Sequence, residues 1–190
     1  GDGLDILIGG AGNDRISGGA DFDRILGGKG NDTLNGNGGD DRLIGGSGKD
    51  KINGGGGNDD LRGQGGRDNI KGGSGADDID AGNGNDRVNG GKGRDGIEGG
   101  AGNDVLSGGA GNDRFVFNKN NGDDRIKDFQ NNKDTIAINL DGALPTDALQ
   151  WLRDTAEVVG GDVVITTEGG SITVEGISGL RLLADDIDFF

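Results

Sequence analysis

Aspartate recurs at every ninth position from Asp5 to Asp113, and no insertion or deletion interrupts the thirteen copies. Each one closes a glycine-dense stretch of the form GGxGxD, as in Gly9-Gly10-Ala11-Gly12-Asn13-Asp14. If two nonapeptides make one turn of a coil, residues 18 apart stack on one another. One column then holds Asp5, Asp23, Asp41, Asp59, Asp77, Asp95 and Asp113, and the other holds Asp14, Asp32, Asp50, Asp68, Asp86 and Asp104. Neighbouring strands lie only ~4.8 Å apart, and carboxylates held so close demand protons or cations. A hard divalent ion answers that demand. Ca2+ accepts about six to eight oxygens in irregular geometry, whereas Mg2+ keeps its waters and wants a strict octahedron. Seven loops leave six gaps in one column and six loops leave five in the other, so the spacing predicts about eleven interior Ca2+ sites. A turn-capping role suits a single loop of this kind but does not account for thirteen in phase.

Other chemistries find no support. The chain has no histidine and no cysteine, which removes the usual zinc sets, Ser-His-Asp and Cys-His nucleophiles, and disulfides. No Gly-Lys is followed by Ser or Thr, as a phosphate-binding loop requires. A dinucleotide fingerprint has its third glycine where these loops carry aspartate, which would repel a pyrophosphate. Asn31-Asp32-Thr33 matches a glycosylation acceptor, but Asp32 belongs to a metal column. Carboxylate pairs abound, yet glycoside hydrolysis needs one with a raised pKa in a substrate cleft, and cations would saturate these. The sequence is read as that of a non-enzyme.

Charge says more in its distribution than in its sum. The net charge of −15 argues against a nucleic-acid partner, whose phosphates it would repel. Residues 1–116 hold 20 acidic and 13 basic side chains, so setting aside the 13 periodic aspartates leaves 7 acids against 13 bases. No apolar run is long enough for a transmembrane segment, and no amino-terminal signal is present. The chain opens inside a repeat, without methionine, and is read as the carboxy-terminal piece of something longer, with a missing amino-terminal domain.

The elements that position the aspartates follow from the rest of the repeat. Two residues after each aspartate stands one apolar side chain: Leu7, Ile16, Ile25, Leu34, Leu43, Ile52, Leu61, Ile70, Ile79, Val88, Ile97, Leu106 and Phe115. Glycine-rich loops with positive φ alternate with three-residue strands whose middle side chain points inward. Two parallel sheets with a thin core between them result. The last residue of each nonapeptide should point outward, giving Ile8, Leu26, Ile44, Arg62, Asp80, Glu98 and Val116 on one sheet and Ser17, Asn35, Asn53, Lys71, Asn89 and Ser107 on the other. Collagen needs glycine at every third residue and abundant proline, and this chain has one proline. A flexible glycine linker would not keep aspartate and aliphatic residues in phase. So thin a core cannot offset the entropy of ordering residues 1–116, so without metal this region is expected to be disordered.

The nonapeptide resembles the calcium-binding repeat of RTX (repeats-in-toxin) proteins, over residues 1–116. The resemblance implies an all-β, right-handed parallel β-roll of 18 residues per turn, in which each ion takes one aspartate from each of two loops a turn apart. Backbone carbonyls complete the set, from loop glycines such as Gly9, Gly10 and Gly12, Gly27, Gly28 and Gly30, and Gly45, Gly46 and Gly48. Asp21, Asn37, Gln64 and Ala81 depart from the loop pattern. Glutamine tolerates positive φ poorly, which makes the Gln64 loop the weakest.

Residues 117–190 are read as a separate capping segment. Arg125–Phe129 and Asp134–Leu140 alternate as strands, and Asn118–Asp123 reads as a loop. Pro145-Thr146-Asp147 opens a short helix over Ala148–Leu152 with Thr146 as N-cap. Asp162–Thr167 and Ser171–Glu175 flank Glu168-Gly169-Gly170 as a hairpin. Leu183–Phe190 reads as a helical turn or a short strand. Asp124, Asp128 and Asp134 either complete a terminal ion site or lie in solvated turns. FVF, DRIKDF, DTIAI and LLADDIDFF resemble the segment that closes the rolls of serralysin-type proteases. That resemblance implies a type I secretion signal at the carboxy terminus, hence type I secretion machinery as a partner. The function implied is a secreted, calcium-dependent folding and secretion module of a bacterial exoprotein. The alternative is a module for anionic polysaccharide, as in the R-modules of alginate epimerases, in which Arg15, Lys51 and Arg87 would form a ladder on one sheet face.

Overall fold

The structure is a computed structural model that describes residues 1–140, 145, 147–177 and 179–190. Each nonapeptide folds as a loop and a short strand because its glycines allow the reversal. Gly10 and Gly12 take φ of 101° and 120°, and their counterparts recur along the chain. L side chains are strained there, and glycine is not. Successive strands fall alternately into two sheets. One runs β1 (Ile6–Ala11), β3 (Arg24–Lys29), β5 (Arg42–Gly48), β7 (Asp60–Gly66), β9 (Asp78–Asn83), β11 (Gly96–Glu98), β13 (Arg114–Phe117), β15 (Thr135–Ile138) and β19 (Ile187–Phe189). The other runs β2 (Arg15–Gly19), β4 (Thr33–Gly38), β6 (Lys51–Gly56), β8 (Asn69–Ser74), β10 (Arg87–Gly93), β12 (Val105–Gly111), β14 (Gly122–Ile126), β18 (Gly170–Val174), β17 (Asp162–Thr167) and β16 (Ala156–Val159).

Within the roll every pairing is parallel and displaced by 18 residues, as in Leu7 on Ile25 and Leu34 on Ile52. This is the parallel β-roll that the resemblance implied, with the 18-residue register that the spacing implied. The inward residues from Ile25 to Phe115 are at most 2% exposed, whereas Leu7 and Ile16 in the first turn are only partly buried. The core is one side chain thick from each sheet. Outward positions stack as expected, Ile8 beside Leu26 beside Ile44 on one sheet and Ser17 beside Asn35 beside Asn53 on the other.

Residues after Val116 continue both sheets rather than forming a separate layer. β15 and β19 extend the first in parallel, and β14 and β18 extend the second. β14 spans Gly122–Ile126, earlier than the strand expected over Arg125–Phe129, because Gly122 and Asp123 already pair with Gly170 and Ser171. Phe129 instead leaves the strand and packs its ring 6.3 Å from that of Phe115. β15 stops at Ile138, short of the expected Leu140. The hairpin of β17 and β18 forms, and β16, which the sequence did not reveal, adds an antiparallel edge through a turn at Gly160 and Gly161. Helix α1 runs Ala148–Thr155, longer than expected, and its N-cap is Asp147, which accepts the Gln150 N–H. Thr146, the expected cap, lies outside the described residues. The chain ends in a helical turn, α2 (Leu180–Leu183), a 3-10 turn and then the strand β19, so both readings of that segment apply in succession.

A core this thin gives each side chain few substitutes for lost contacts. Leu61→Ala, at a fully buried position, should lower unfolding stability in calcium by about 2–5 kcal/mol, measured by denaturant titration.

Candidate metal centre

Every loop aspartate is placed by the same two forces: the strand after it is pulled inward by its apolar residue, and the glycines before it turn the chain. The aspartate side chain is thereby drawn beneath the loop. From Asp23 to Asp113 these residues are at most 2% exposed. One oxygen of each is used by the protein. Asp23 Oδ1 accepts the Asp5 N–H at 2.8 Å, Asp32 Oδ1 accepts the Asp14 N–H at 2.8 Å, and the relation repeats 18 residues on to Asp113. The other oxygen has no donor. Oδ2 of Asp14, Asp23, Asp32, Asp41, Asp50, Asp59, Asp68, Asp77, Asp86, Asp95, Asp104 and Asp113 is buried without a hydrogen-bond partner.

Oδ2 of Asp14, Asp32, Asp41, Asp50, Asp59, Asp68, Asp77 and Asp95 borders the same space beside the first glycine as a carbonyl of the next turn. A methyl group built on Gly9 would stand 2.6 Å from Asp14 Oδ2 and 2.7 Å from Gly27 O, and one built on Gly27 would stand 2.5 Å from Asp32 Oδ2 and 2.6 Å from Gly45 O. The first glycine of these loops thus leaves room that a side chain would fill, and an anionic and a carbonyl oxygen both border it. Carbonyls at the second and fourth loop positions do something else. Those of Gly10, Gly12, Gly28 and Gly30 press against the α-carbons of Gly28, Gly30, Gly46 and Gly48 in the following turn. Among the described residues no three carboxylates gather at one point, so a cation here would rely on backbone carbonyls.

The residues present fit a hard cation, because buried carboxylate oxygens without donors stand beside main-chain carbonyl oxygens.

Burial without a counter-charge raises the carboxyl pKa values. Desolvation is the largest cause throughout, and the like charge of the aspartates a turn above and below adds to it in several loops. The values rise from 3.8 to about 6 for Asp41, Asp77, Asp86 and Asp113 and to about 7 for Asp68 and Asp104. Asp50, Asp59 and Asp95 shift in the same direction. In each case the backbone N–H bonded to Oδ1 opposes the rise.

Departures from the consensus affect the loops unequally. Asn37 and Gln64 adopt φ of 80° and 74°, so the Gln64 loop keeps its shape, and Asp68 Oδ2 still converges with Ala81 O beside Gly63. Ala81 is the more consequential change. It takes the place of a first glycine, is fully buried, and sets a methyl where the other loops leave room.

Two groups of functional residues were missed or left open by sequence reasoning. Asn13, Asn31, Asn58, Asn85 and Asn103 form a second ladder of opposite polarity: Asn13 Oδ1 accepts the Asn31 N–H and Asn31 Oδ1 accepts the Lys49 N–H, each from the following turn. The recurrence of Asn before Asp was the available signal. Asp124 and Asp134 extend the columns, accepting the N–H groups of Asp104 and Asp113. Their Oδ2 atoms are satisfied by the Asn121 side-chain amide at 2.9 Å and the Gln130 N–H at 2.8 Å. Asp128 is exposed and accepts the N–H groups of Gly108 and Gly109.

The fold and the site define a calcium-type β-roll, a coil whose loops stack buried carboxylates against carbonyls. The family profile described as "RTX calcium-binding nonapeptide repeat (4 copies)" matches residues 1–34, 26–61, 35–70, 62–97, 80–115 and 90–122, and the chain belongs to that family. Comparison with curated proteins gives no match. Among solved structures the chain is similar to the extracellular lipase LipA from Serratia marcescens, with 19% identity, TM-score 0.41, and coverage of 91% of this chain and 39% of that one. It is also similar to the AlgE6R3 subunit of the mannuronan C5-epimerase of Azotobacter vinelandii, with 22% identity, TM-score 0.35, and coverage of 95% and 80%. The chain thus spans about two fifths of the lipase chain.

Two outcomes follow from the cradle. Gly54→Ala would bring a methyl within 2.7 Å of Gly72 O and closer still to Asp59 Oδ2, and should destabilise the calcium-bound state by about 1–3 kcal/mol, whereas Ala81→Gly should raise calcium affinity; isothermal titration reads both. For pH, folded-state pKa values raised from 3.8 to about 6 or 7 mean that the metal-free fold holds more protons than the unfolded chain. Its carboxylates oppose folding least below the unfolded value, and that stability is lost as pH rises through 6 to 7. In chelator, β-type circular dichroism should therefore increase on acidification from about pH 8 to about pH 5.

Proposed function

We propose that this chain is a non-catalytic module that folds on binding Ca2+ outside the cell and supports type I secretion and folding of a bacterial exoprotein. The observation that carries the reading is the set of twelve buried carboxylate oxygens without donors, eight of them bordering the same space as a main-chain carbonyl oxygen. An unpaired buried charge costs several kcal/mol, so the folded roll at neutral pH calls for cations. The ligands proposed are the loop aspartates from Asp5 to Asp113 with first-position carbonyls such as those of Gly27 and Gly45, at about eleven interior sites. Extracellular calcium modules bind in the ~10⁻⁴–10⁻³ M range, which leaves the chain unfolded during export. Residues 1–116 serve as the calcium roll. Residues 117–190 serve as its cap and carry the secretion signal. The roll itself is a structural fold. Any enzymatic, toxic or adhesive activity would belong to the protein of which the module is part.

A second reading rests on the outer face of the second sheet. The register aligns Arg15, Thr33, Lys51, Asn69, Arg87, Val105 and Arg125 in one column and Ser17, Asn35, Asn53, Lys71, Asn89 and Ser107 beside it. From Arg15 to Val105 these two columns hold cations and neutral residues and no acid, on a chain of net charge −15, while Arg125 at the end pairs with Glu175 at 3.2 Å. Such a face suits an anionic polysaccharide.

The first reading is tested by circular dichroism: mostly coil in chelator, a cooperative β signal on adding Ca2+, and none with Mg2+. A roll fully structured in chelator would sink it. Asp59→Ala should shift the calcium midpoint upward and lower its cooperativity, since Asp59 Oδ1 is also the acceptor of the Asp41 N–H. For the second reading, salt-sensitive retention on immobilised alginate should fall at least about tenfold when Lys51, Lys71 and Arg87 are changed together to Gln.

A further inference from the structure

The two outer faces of the roll carry opposite charge at the same level of the coil. On β7, β9 and β11 the outward strand positions are Asp60 and Arg62, Asp78 and Asp80, and Gly96 and Glu98, stacked in register. Four acids and one base give this band a charge of −3. On β6, β8 and β10 the same positions are Lys51 and Asn53, Asn69 and Lys71, and Arg87 and Asn89, with a charge of +3. Among the described residues Lys51, Lys71 and Arg87 are exposed and form no ion pair. The bands look away from each other across the core, so neither neutralises the other within one chain.

Gly96 adds a feature that the chain's own fold does not call for. Its φ lies outside the left-handed region, and a methyl built on it would meet only Asp78 Oδ1 at 3.6 Å and Asp77 O at 4.0 Å, both ordinary contacts. Every other nonapeptide places a side chain at this outward position. Its absence leaves a recess of about 210 Å³ bordered by Asp78, Asp80, Glu98 and Arg114. A glycine inside a strand with no conformational task marks a place where another group comes close.

We propose that the second-sheet face of one copy of this chain docks on the first-sheet face of another, the two related by sideways translation. Strands alternate between the sheets along the coil, so β8 lies level with the gap between β7 and β9, and β10 with the gap between β9 and β11. The chain runs in opposite senses on the two faces. Translation therefore sets Lys71 over the column of Asp60 and Asp78, and Lys51 and Arg87 over the column of Arg62, Asp80 and Glu98. Lys71 falls between Asp60 and Asp78, and Arg87 between Asp80 and Glu98 beside the Gly96 recess. Both faces have the same strand spacing, ~4.8 Å, so the match does not drift along the coil. A polysaccharide answers the cations of one face, whereas a second copy answers both faces and the recess. The contact is heterologous and does not close on itself, so growth continues beyond a dimer. The inference rests on the calcium reading above, which supplies the folded roll, and goes beyond it.

Sedimentation of the full chain in millimolar calcium should show a mass distribution that grows with protein concentration at about 20 mM salt and collapses to monomer at about 500 mM, where surface charges are screened. Lys51→Glu, Lys71→Glu and Arg87→Glu together, or Asp78→Lys, Asp80→Lys and Glu98→Lys together, should each weaken self-association at least about tenfold, because like charges then meet. Mixed in equal amounts the two variants should associate again, since one has two acidic faces and the other two basic ones. Gly96→Val, which suits a strand, should leave the calcium-induced circular dichroism unchanged and weaken self-association by filling the recess. A chain that is folded but monomeric at low salt and high concentration would overturn the proposal, whether or not alginate retains it. So would charge-reversed variants that associate as the unaltered chain does, or that are folded yet stay apart when mixed. Should a triple variant fail to fold, Gly96→Val decides, and its associating as the unaltered chain does would overturn the proposal. A chain that stays coil in calcium removes the calcium reading and this proposal together, whereas a folded monomer removes this proposal alone.

Discussion

The constraint on which the molecule depends is the second oxygen of each loop aspartate. The first is spent on an amide N–H of the preceding turn and fixes the stacking register. The second is buried with no donor, beside main-chain oxygens that only add negative potential. In an ordinary domain a large apolar core could carry such a cost. Here the core is one side chain deep from each sheet, and 46 of 190 residues are glycine, the residue that loses most freedom on ordering. This is the balance on which the proposed coupling of folding to cation binding rests, as in small metal-dependent domains.

Glycine has two separate duties in this arrangement. At the second and fourth loop positions the backbone takes positive φ and the carbonyl of the turn before comes within contact of the α-carbon. At the first position the requirement is space for the carboxylate and carbonyl oxygens. The exceptions separate the duties. Asn37 and Gln64 adopt positive φ and are exposed, so the loop survives. Ala81 keeps its backbone in register but intrudes on the space. The asparagine ladder works against the aspartate ladder in polarity, accepting from the following turn where aspartate accepts from the preceding one. The loops that carry Asn before Asp, such as those of Asn31 and Asn103, are thus tied in both directions along the coil.

The ends and faces break the translational symmetry that the repeat imposes. Asn121 and Gln130 supply donors to the terminal carboxylates, so protein groups finish the columns where the nonapeptides cease. Among the described residues, the eight exposed large apolar side chains lie either between Leu4 and Leu26 or in the carboxy-terminal segment, at Val158, Val159 and Phe190. The shaft between them is polar. Its two outer faces differ again, one carrying Arg42 and Arg62 paired with Asp60, the other cations and amides without acids.

The repeat itself made much of this legible in advance. A strict nine-residue period with one aspartate and one aliphatic residue in phase specifies the coil, its 18-residue register, the inward and outward columns and the metal-type chemistry, because translation copies every local choice. Where the period ends, local reading weakened: β14 began earlier than its alternation suggested, β16 was missed, and α1 extended to Thr155. The start of β14 is set by pairing with a strand 48 residues away, Gly122 with Gly170, and no local pattern carries that information. Tertiary structure alone also divided the carboxylate into a bonded and an unbonded oxygen, separated cradle carbonyls from packing carbonyls, and placed Asp124 and Asp134 at the ends of the columns after spacings of 20 and 21 residues. The physical reason is common to all three. Each depends on which atoms of a neighbouring turn lie within hydrogen-bonding distance, and that is fixed only when the coil closes on itself.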